Sequence, residues 1–316
     1  MVAVDASVAV LSSSSELRNL ELMHKFSTDT YKSLCTDESS YREWQVVVPQ
    51  LAFDHDFLLN GILALTALHV ASAAELSAAP SYIDTALRYY HMTFAPFQKA
   101  LSELTPLNCD AVFAHSMVTS IIGIALPRLT VDRNETVSMV ETILVALELL
   151  QGVSQIYQIG RAWFSSNLVS KYRWQAKEQE EPLDDFDIDA ALTRLVMLND
   201  AMVLDAHQRQ INQEAISKLR RCFTRFVGSF GNSIDHVLAW LVIVDKEFCV
   251  SLKHRHPIPL LILMHWAVLL GQMDGRFWWA IDAGKALVSE LLTILHSGDP
   301  HWETAKMWPR QKLTAK

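Results

Sequence analysis

Two carboxylates and an amide gather at the head of one apolar stretch, LAFDHDFLLNGILALTALHVASAAE, which starts at Leu51. Asp54 stands at the N-cap expected for a helix there, and an acid near the first turn is favoured by the positive helix end. Asp56 and Asn60 are spaced i, i+4, so they share a helix face. The residues that follow, GILALTALHV, are almost wholly apolar. Hard oxygen donors on Asp54, Asp56 and Asn60, at the rim of an apolar cavity, suit a Mg²⁺ ion that bridges to a phosphate with a hydrocarbon tail. The same pattern also describes a core helix with an acidic, solvated start.

A second informative stretch is GRFWWAIDAGKALVSELLTIL, from Gly275. Read as one helix, it lines up Phe277, Ile281, Gly284, Val288, Leu291 and Leu295 as a core-facing stripe. Lys285 flanks that stripe. Its ammonium must snorkel to water, pair with an acid such as Asp282, or meet an anion inside the molecule. Elsewhere, Asp184-Asp185-Phe186-Asp187-Ile188 and Asn199-Asp200 match the metal motifs of typical class I terpene cyclases only in part. The first lacks the final acid, and in the second Val203 and His207 replace the hydroxyl and the Glu. The acidic run reads as a solvated helix start. Nine Trp and thirteen Phe are mostly core material. Trp163, Phe164, Trp266, Phe277 and Trp278 could instead line a pocket whose π-faces stabilise a cation by roughly 1–2 kcal/mol each.

The elements that position these groups are helical. Ala, Leu and Met are frequent, strand signatures are few, and Gly and Pro number only 10 each, so composition predicts an all-α chain. With 316 residues, half of them hydrophobic, it can bury a large core in one domain or two closely packed ones. The reading adopted is a loose tail over 1–15 and one helical domain over 16–316, with a central apolar cavity. Helices are expected over 16–35, capped by the serine run Ser12–Ser15, over 41–48 with a stop at Pro49, after Asp54, from Pro80 with a kink or break at Pro96, and from Asn108 to a stop at Pro127. Asn134 opens the next, and a further one carries Trp163 and Trp174. After the charged connector KEQEEPLDDFDID from Lys177, helices resume at 190–210, 213–226, 233–252, 257–271, 277–295 and 301–308.

A net charge of −8 argues against a nucleic-acid surface. Cys35, Cys109, Cys222 and Cys249 lack metal spacing and read as free thiols of a reducing, cytoplasmic compartment. The longest greasy run, from Ile258, is too short to span a bilayer, so no membrane span is expected. Histidines 69, 91, 115 and 265 read as satisfied core or boundary residues.

Several stretches resemble the C-terminal effector domain of fungal zinc binuclear-cluster transcription factors of the sterol-uptake-control type. They include LELMHKFSTDTY from Leu20, WQVVVPQLAFDHDFLLNGILALTALHVA from Trp44, ALRYYHMTFAPFQKAL from Ala86, NCDAVFAHS from Asn108, HPIPLLILMHWAVLL from His256 and RFWWAIDAGKALVSELL from Arg276. Order and spacing agree from about residue 17 onward, which implies an all-helical domain with an apolar ligand cavity. The chain departs from that family in lacking the DNA-binding cysteine cluster. It has Asp54 and Asp56 where Ser and Pro are usual, Asn60 for His, and Ala283 for Trp, which would open space beside Lys285.

These departures resemble an atypical group on the same scaffold, the fungal humulene synthases of tropolone-sesquiterpenoid pathways. The resemblance implies a Mg²⁺-dependent cyclase acting on farnesyl diphosphate, with Lys285, which matches the group's diphosphate-binding Lys, as the catalytic cation. The residues themselves, and not the resemblance, suggest Met264, Trp266, Phe277, Trp278 and Ile281 as the lining of the substrate pocket, with Ile281, one helical turn before Lys285 in the expected helix, steering the first isoprene unit. A homodimer is compatible with this reading. The competing expectation is a sterol- or lipid-binding regulatory module that has lost its DNA-binding half.

Overall fold

The computed structural model describes residues 3–35, 38–130, 138–164, 183–202, 205–228 and 234–314. Among them there are thirteen α-helices and no strand, so the all-α expectation holds. Asn134, Trp174, Val203 and the connector's first residues, 177–182, lie outside the described residues. Contacts divide the chain into two compact units, Met1–Ile122 with Ile156–Lys171, and Gly123–Gln155 with Tyr172–Lys316.

The first unit begins with α1 (Ala3–Thr28), followed by 3₁₀ turns at Thr30–Leu34 and Glu38–Ser40 and a π turn at Glu43–Val47. The helix therefore passes through the serine run that was expected to cap it at Glu16. Helices α2 (Val48–Ala52), α3 (Asp56–Ala73) and α4 (Ala79–Ser102) follow. Pro49 sits in the first turn of α2, where its missing N–H costs nothing, so it starts a helix instead of stopping one. α4 continues through Pro96, and α5 (Cys109–Thr130) runs past Pro127, so neither proline ends its helix.

α3 is buried on nearly every side from Gly61 to Leu68, as a helix without a polar face must be. It packs along α4. Gly61 permits close approach to α5: a Cβ there would meet His115 Nδ1 at 2.6 Å and Cε1 at 2.8 Å.

The second unit takes in the middle of the chain through α6 (Met139–Gly160), then α7 (Phe186–Ala201), α8 (Ala206–Gly228), α9 (Ile234–Ile243), α10 (Lys246–Lys253), α11 (Pro257–Gly271), α12 (Ala283–Ile294) and α13 (Pro300–Thr314). The span expected as one helix over 233–252 is broken at Val244–Asp245, and the Asp245 side chain caps α10 by accepting from Glu247 N–H. α11 occupies the centre, with every residue from Ile258 to Gly271 buried. α12 crosses it backbone to backbone. A Cβ on Gly284 would lie 2.6 Å from Gly271 N and 2.7 Å from Ala267 O.

Polar groups buried in this unit are joined in a chain. Asn199 Nδ2 on α7 donates to the Arg209 carbonyl, and Asn212 Nδ2 on α8 donates to Asn199 Oδ1 at 2.8 Å. Gln208 Nε2 donates to Asn212 Oδ1, and Ser251 Oγ on α10 donates to Gln208 Oε1. All four cysteines are buried free thiols, as their spacing suggested.

By length and composition, α3, α5 and α6 are long and apolar enough to cross a membrane, a property the greasiest run, on α11, does not have.

Candidate functional site

Lys285 lies in the first turn of α12. It is neither sunk in apolar surroundings nor free: Nζ stands 3.4 Å from Asp274 Oδ2 and 3.6 Å from Asp282 Oδ1. Pairing with Asp282 is one of the outcomes that spacing left open, whereas Asp274 escaped the sequence reading. The Lys285 side chain is 46% exposed and that of Asp274 only 22%.

The backbone between them is built by a reversal. Gly275 turns the chain at φ 75, a left-handed conformation that glycine adopts without a Cβ penalty. Phe277 N–H and Arg276 N–H both bond back to the Met273 carbonyl. A 3₁₀ turn over Trp278–Ala280 follows, burying Trp279 and Ala280. Asp282 then takes a left-handed φ of 54 and leads into α12 without a side-chain cap. Its N–H donates to Asp274 Oδ1 at 3.3 Å. Asp-Gly at 274–275 is a turn signal, and it was the available clue that an acid would return towards Lys285.

This geometry corrects the helix expected over 277–295. Ile281 is 42% exposed on the turn and is not one helical turn before Lys285 on a shared face. The stripe of Phe277, Ile281 and Gly284 mimicked a helical period, but burial of the Trp279 indole directs the chain into a 3₁₀ turn instead. Arg128, near the end of α5, clamps the same segment by donating to the carbonyls of Trp279, at 3.1 Å, and Ile281. Burial pulls the Arg128 guanidinium below its ordinary pKa, while Asp282 and Asp274 oppose that shift.

The proposed pocket residues of this unit occupy different environments. Met264 and Trp266 are fully buried, and Trp266 Nε1 donates to the Val237 carbonyl at 2.8 Å while its ring stacks on Trp240. Phe277 and Trp278 are half-buried, with the Phe277 ring beside Trp279. Ala283 is fully buried.

In the first unit, the N-cap of α3 is His55, without a side-chain cap bond, and Asp54 lies one residue earlier. Asp54 is therefore not the cap that the sequence suggested. Its N–H closes a turn onto the Leu51 carbonyl, and that turn delays the helix by one residue. Asp54 and Asp56 are exposed and Asn60 is half-buried. Among the described residues no His, Cys, Asp or Glu side chains gather in threes as a metal site. The donor chemistry still suits Mg²⁺, which typically takes one or two carboxylates and fills its shell with water and substrate phosphate.

Behind this rim, His115 is buried between Phe57 and Phe97, with ring centroids 5.4 and 4.4 Å away. Burial drives its pKa down to about 3. Its Nδ1 has no hydrogen-bond partner, and neither does Nε2 of the buried His265, so these two core histidines are only half satisfied. Trp163 is 38% exposed, and Phe164 packs on Phe113 and Tyr157.

The acidic run has a structural role. Asp185 caps α7 by accepting from Asp187 and Ile188 N–H. Asp187 accepts from Trp308 Nε1 at 2.7 Å and pairs with Lys312 at 2.8 Å. Asp200 is exposed, and Asp205 caps the start of α8 by accepting from Gln208 N–H.

No family model matches the chain, and no curated protein matches it.

Proposed function

We propose that the protein is a sesquiterpene cyclase that ionises farnesyl diphosphate and closes the chain to a humulene-type macrocyclic hydrocarbon, releasing diphosphate. The observation that supports this reading is the setting of Lys285, a cation paired with Asp274 and Asp282 in the first turn of α12, between the buried Gly284 and Leu287. A fixed cation is what a departing diphosphate requires, because charge that is already oriented needs no reorganisation as the C–O bond breaks. Asp54, Asp56 and Asn60 would hold Mg²⁺, which when bound neutralises phosphate charge. Apolar side chains such as Phe277 and Trp278 would keep the farnesyl chain folded and exclude water, which would otherwise trap the allylic cation as an alcohol. Loss of a proton ends the reaction, and the released diphosphate serves as the base.

One observation favours the rival reading, a lipid-binding regulatory module: Lys285 is already charge-balanced by Asp274 and Asp282 without any anion. Incubation of the purified protein with farnesyl diphosphate and Mg²⁺, followed by extraction and gas chromatography–mass spectrometry, separates the two. A macrocyclic sesquiterpene that disappears with EDTA and returns with excess Mg²⁺ is the expected result. No hydrocarbon, or full activity in EDTA, overturns the proposal.

A further inference from the structure

We infer that Asp274 is a positioning residue that holds Lys285, and the turn entering α12, in place for an incoming diphosphate. The inference rests on the cyclase reading of Lys285 and extends it to an acid that the resemblance did not assign.

The two carboxylates beside Lys285 are not equivalent. The Asp282 side chain is 66% exposed and three residues away on the same turn, so water screens its pull and the pair is worth little. The Asp274 side chain is 22% exposed and comes from the far side of the reversal at Gly275. Its two oxygens do different work. Oδ2 faces the Lys285 ammonium, and Oδ1 accepts the Asp282 N–H. Asp282 is one of only two non-glycine residues with a positive φ among those described, a conformation that persists only where its surroundings impose it. One carboxylate thus secures both the backbone that launches α12 and the charge carried one turn later. Without it, a lysine on a four-carbon stem, half open to water, samples many rotamers. The electrostatic contribution proposed for Lys285 depends on its not doing so.

The test compares Asp274→Asn, which retains an oxygen for the Asp282 N–H but loses the charge, with Asp274→Ala, which loses both, and with Asp282→Asn. Two readouts are taken on the full chain. The first is the side-chain ammonium signal of Lys285 in ¹⁵N-lysine-labelled protein, assigned by its loss in Lys285→Arg. The second is kcat and KM for farnesyl diphosphate with Mg²⁺. In Asp274→Asn the Lys285 signal should shift and broaden towards that of a free lysine. kcat should fall by about tenfold to 10²-fold, the scale of a misplaced reacting group. KM should change less, because an acid removed from beside a cation does not weaken anion binding. Asp282→Asn should lower kcat less than twofold. An unchanged Lys285 signal in Asp274→Asn, or a changed signal with unaltered kcat, overturns the inference. If the wild-type protein makes no hydrocarbon, the cyclase reading falls, and the ammonium signal alone decides whether Asp274 holds the lysine.

Discussion

Substituting Gly284 by Ala probes the element on which the Lys285 site is built. A Cβ at this position would lie 2.6 Å from Gly271 N, whereas ordinary contact begins at 3.4 Å. The nearest atoms are all backbone, so no side chain can swing aside. α11 and α12 must part by the difference, about 0.8 Å. Overpacking of this kind costs about 1–3 kcal/mol, and the better helix propensity of Ala returns up to about 1 kcal/mol. The net loss, between about 0 and 3 kcal/mol, lowers Tm by up to roughly 12 °C for a domain of this size. The control is Gly152→Ala on α6, where nothing lies within 4 Å of the added methyl. That change should stabilise by about 0.4–1 kcal/mol, because it restricts only the unfolded chain. Thermal and urea unfolding of both variants give the comparison directly. Lys285 is the next residue, so the same displacement should lower turnover by up to about 10²-fold. A Gly284→Ala protein that melts as high as Gly152→Ala would refute the backbone crossing and the argument that depends on it.

Three further outcomes are expected. Lys285→Ala should lower kcat by about 10²–10³, the loss of one preorganised charge contact, and Lys285→Arg should rescue it incompletely because the planar fork has a different reach; near-normal turnover in Lys285→Ala would make the side chain a surface ion pair only. Asp56→Ala should cost at least about tenfold in rate, recovered in part by higher Mg²⁺; a change in melting temperature alone would reduce the rim to a helix start. His69, His115 and His265 are held neutral by burial, at about 4, 3 and 4 against an ordinary 6.5, so their contribution to stability is intact above pH 6.5. It is lost as pH falls towards 4, because the unfolded chain takes up protons that the core refuses, at about 1.4 kcal/mol per pH unit for each histidine; urea midpoints between pH 7 and 4.5 should show the slope, and His265→Gln should flatten it.

Periodicity captured the helices whose burial is uniform. Pro257–Gly271 was readable to the residue, since a run apolar on all sides bounded by Pro and Gly has one helical solution. The start of α3 was legible to within a residue. Its capping residue was not, because the turn that makes His55 the N-cap depends on backbone bonds to Leu51 and Ala52, which no spacing rule encodes. Pro127, expected to stop its helix, and Pro96, expected to kink or break its own, both lie inside continuous helices, where tertiary packing tolerates a missing N–H that local propensity disfavours; Pro49 instead takes the first-turn position that suits it. At the candidate site, Lys285 and Asp282 were visible as an i, i+3 pair. Asp274 and Arg128 were not, since both reach the lysine's neighbourhood through a chain reversal and a distant helix. Long-range partners of this kind leave no periodic trace.

The chain of hydrogen bonds from Asn199 through Asn212 and Gln208 to Ser251 has a consequence for how the second unit finds its partners. Apolar surfaces accept many alignments at similar cost, so α7, α8 and α10 could slide along one another by a turn. A slide of α7 would strand the buried carboxamides of Asn199 and Asn212, both fully excluded from water, at about 1–3 kcal/mol for each orphaned group. Acting together, these side chains work as a combination lock, adding little to the depth of the correct state while raising the energy of every neighbouring one. Replacing both asparagines with leucine should therefore leave a unit that still melts cooperatively but admits more than one alignment of its helices.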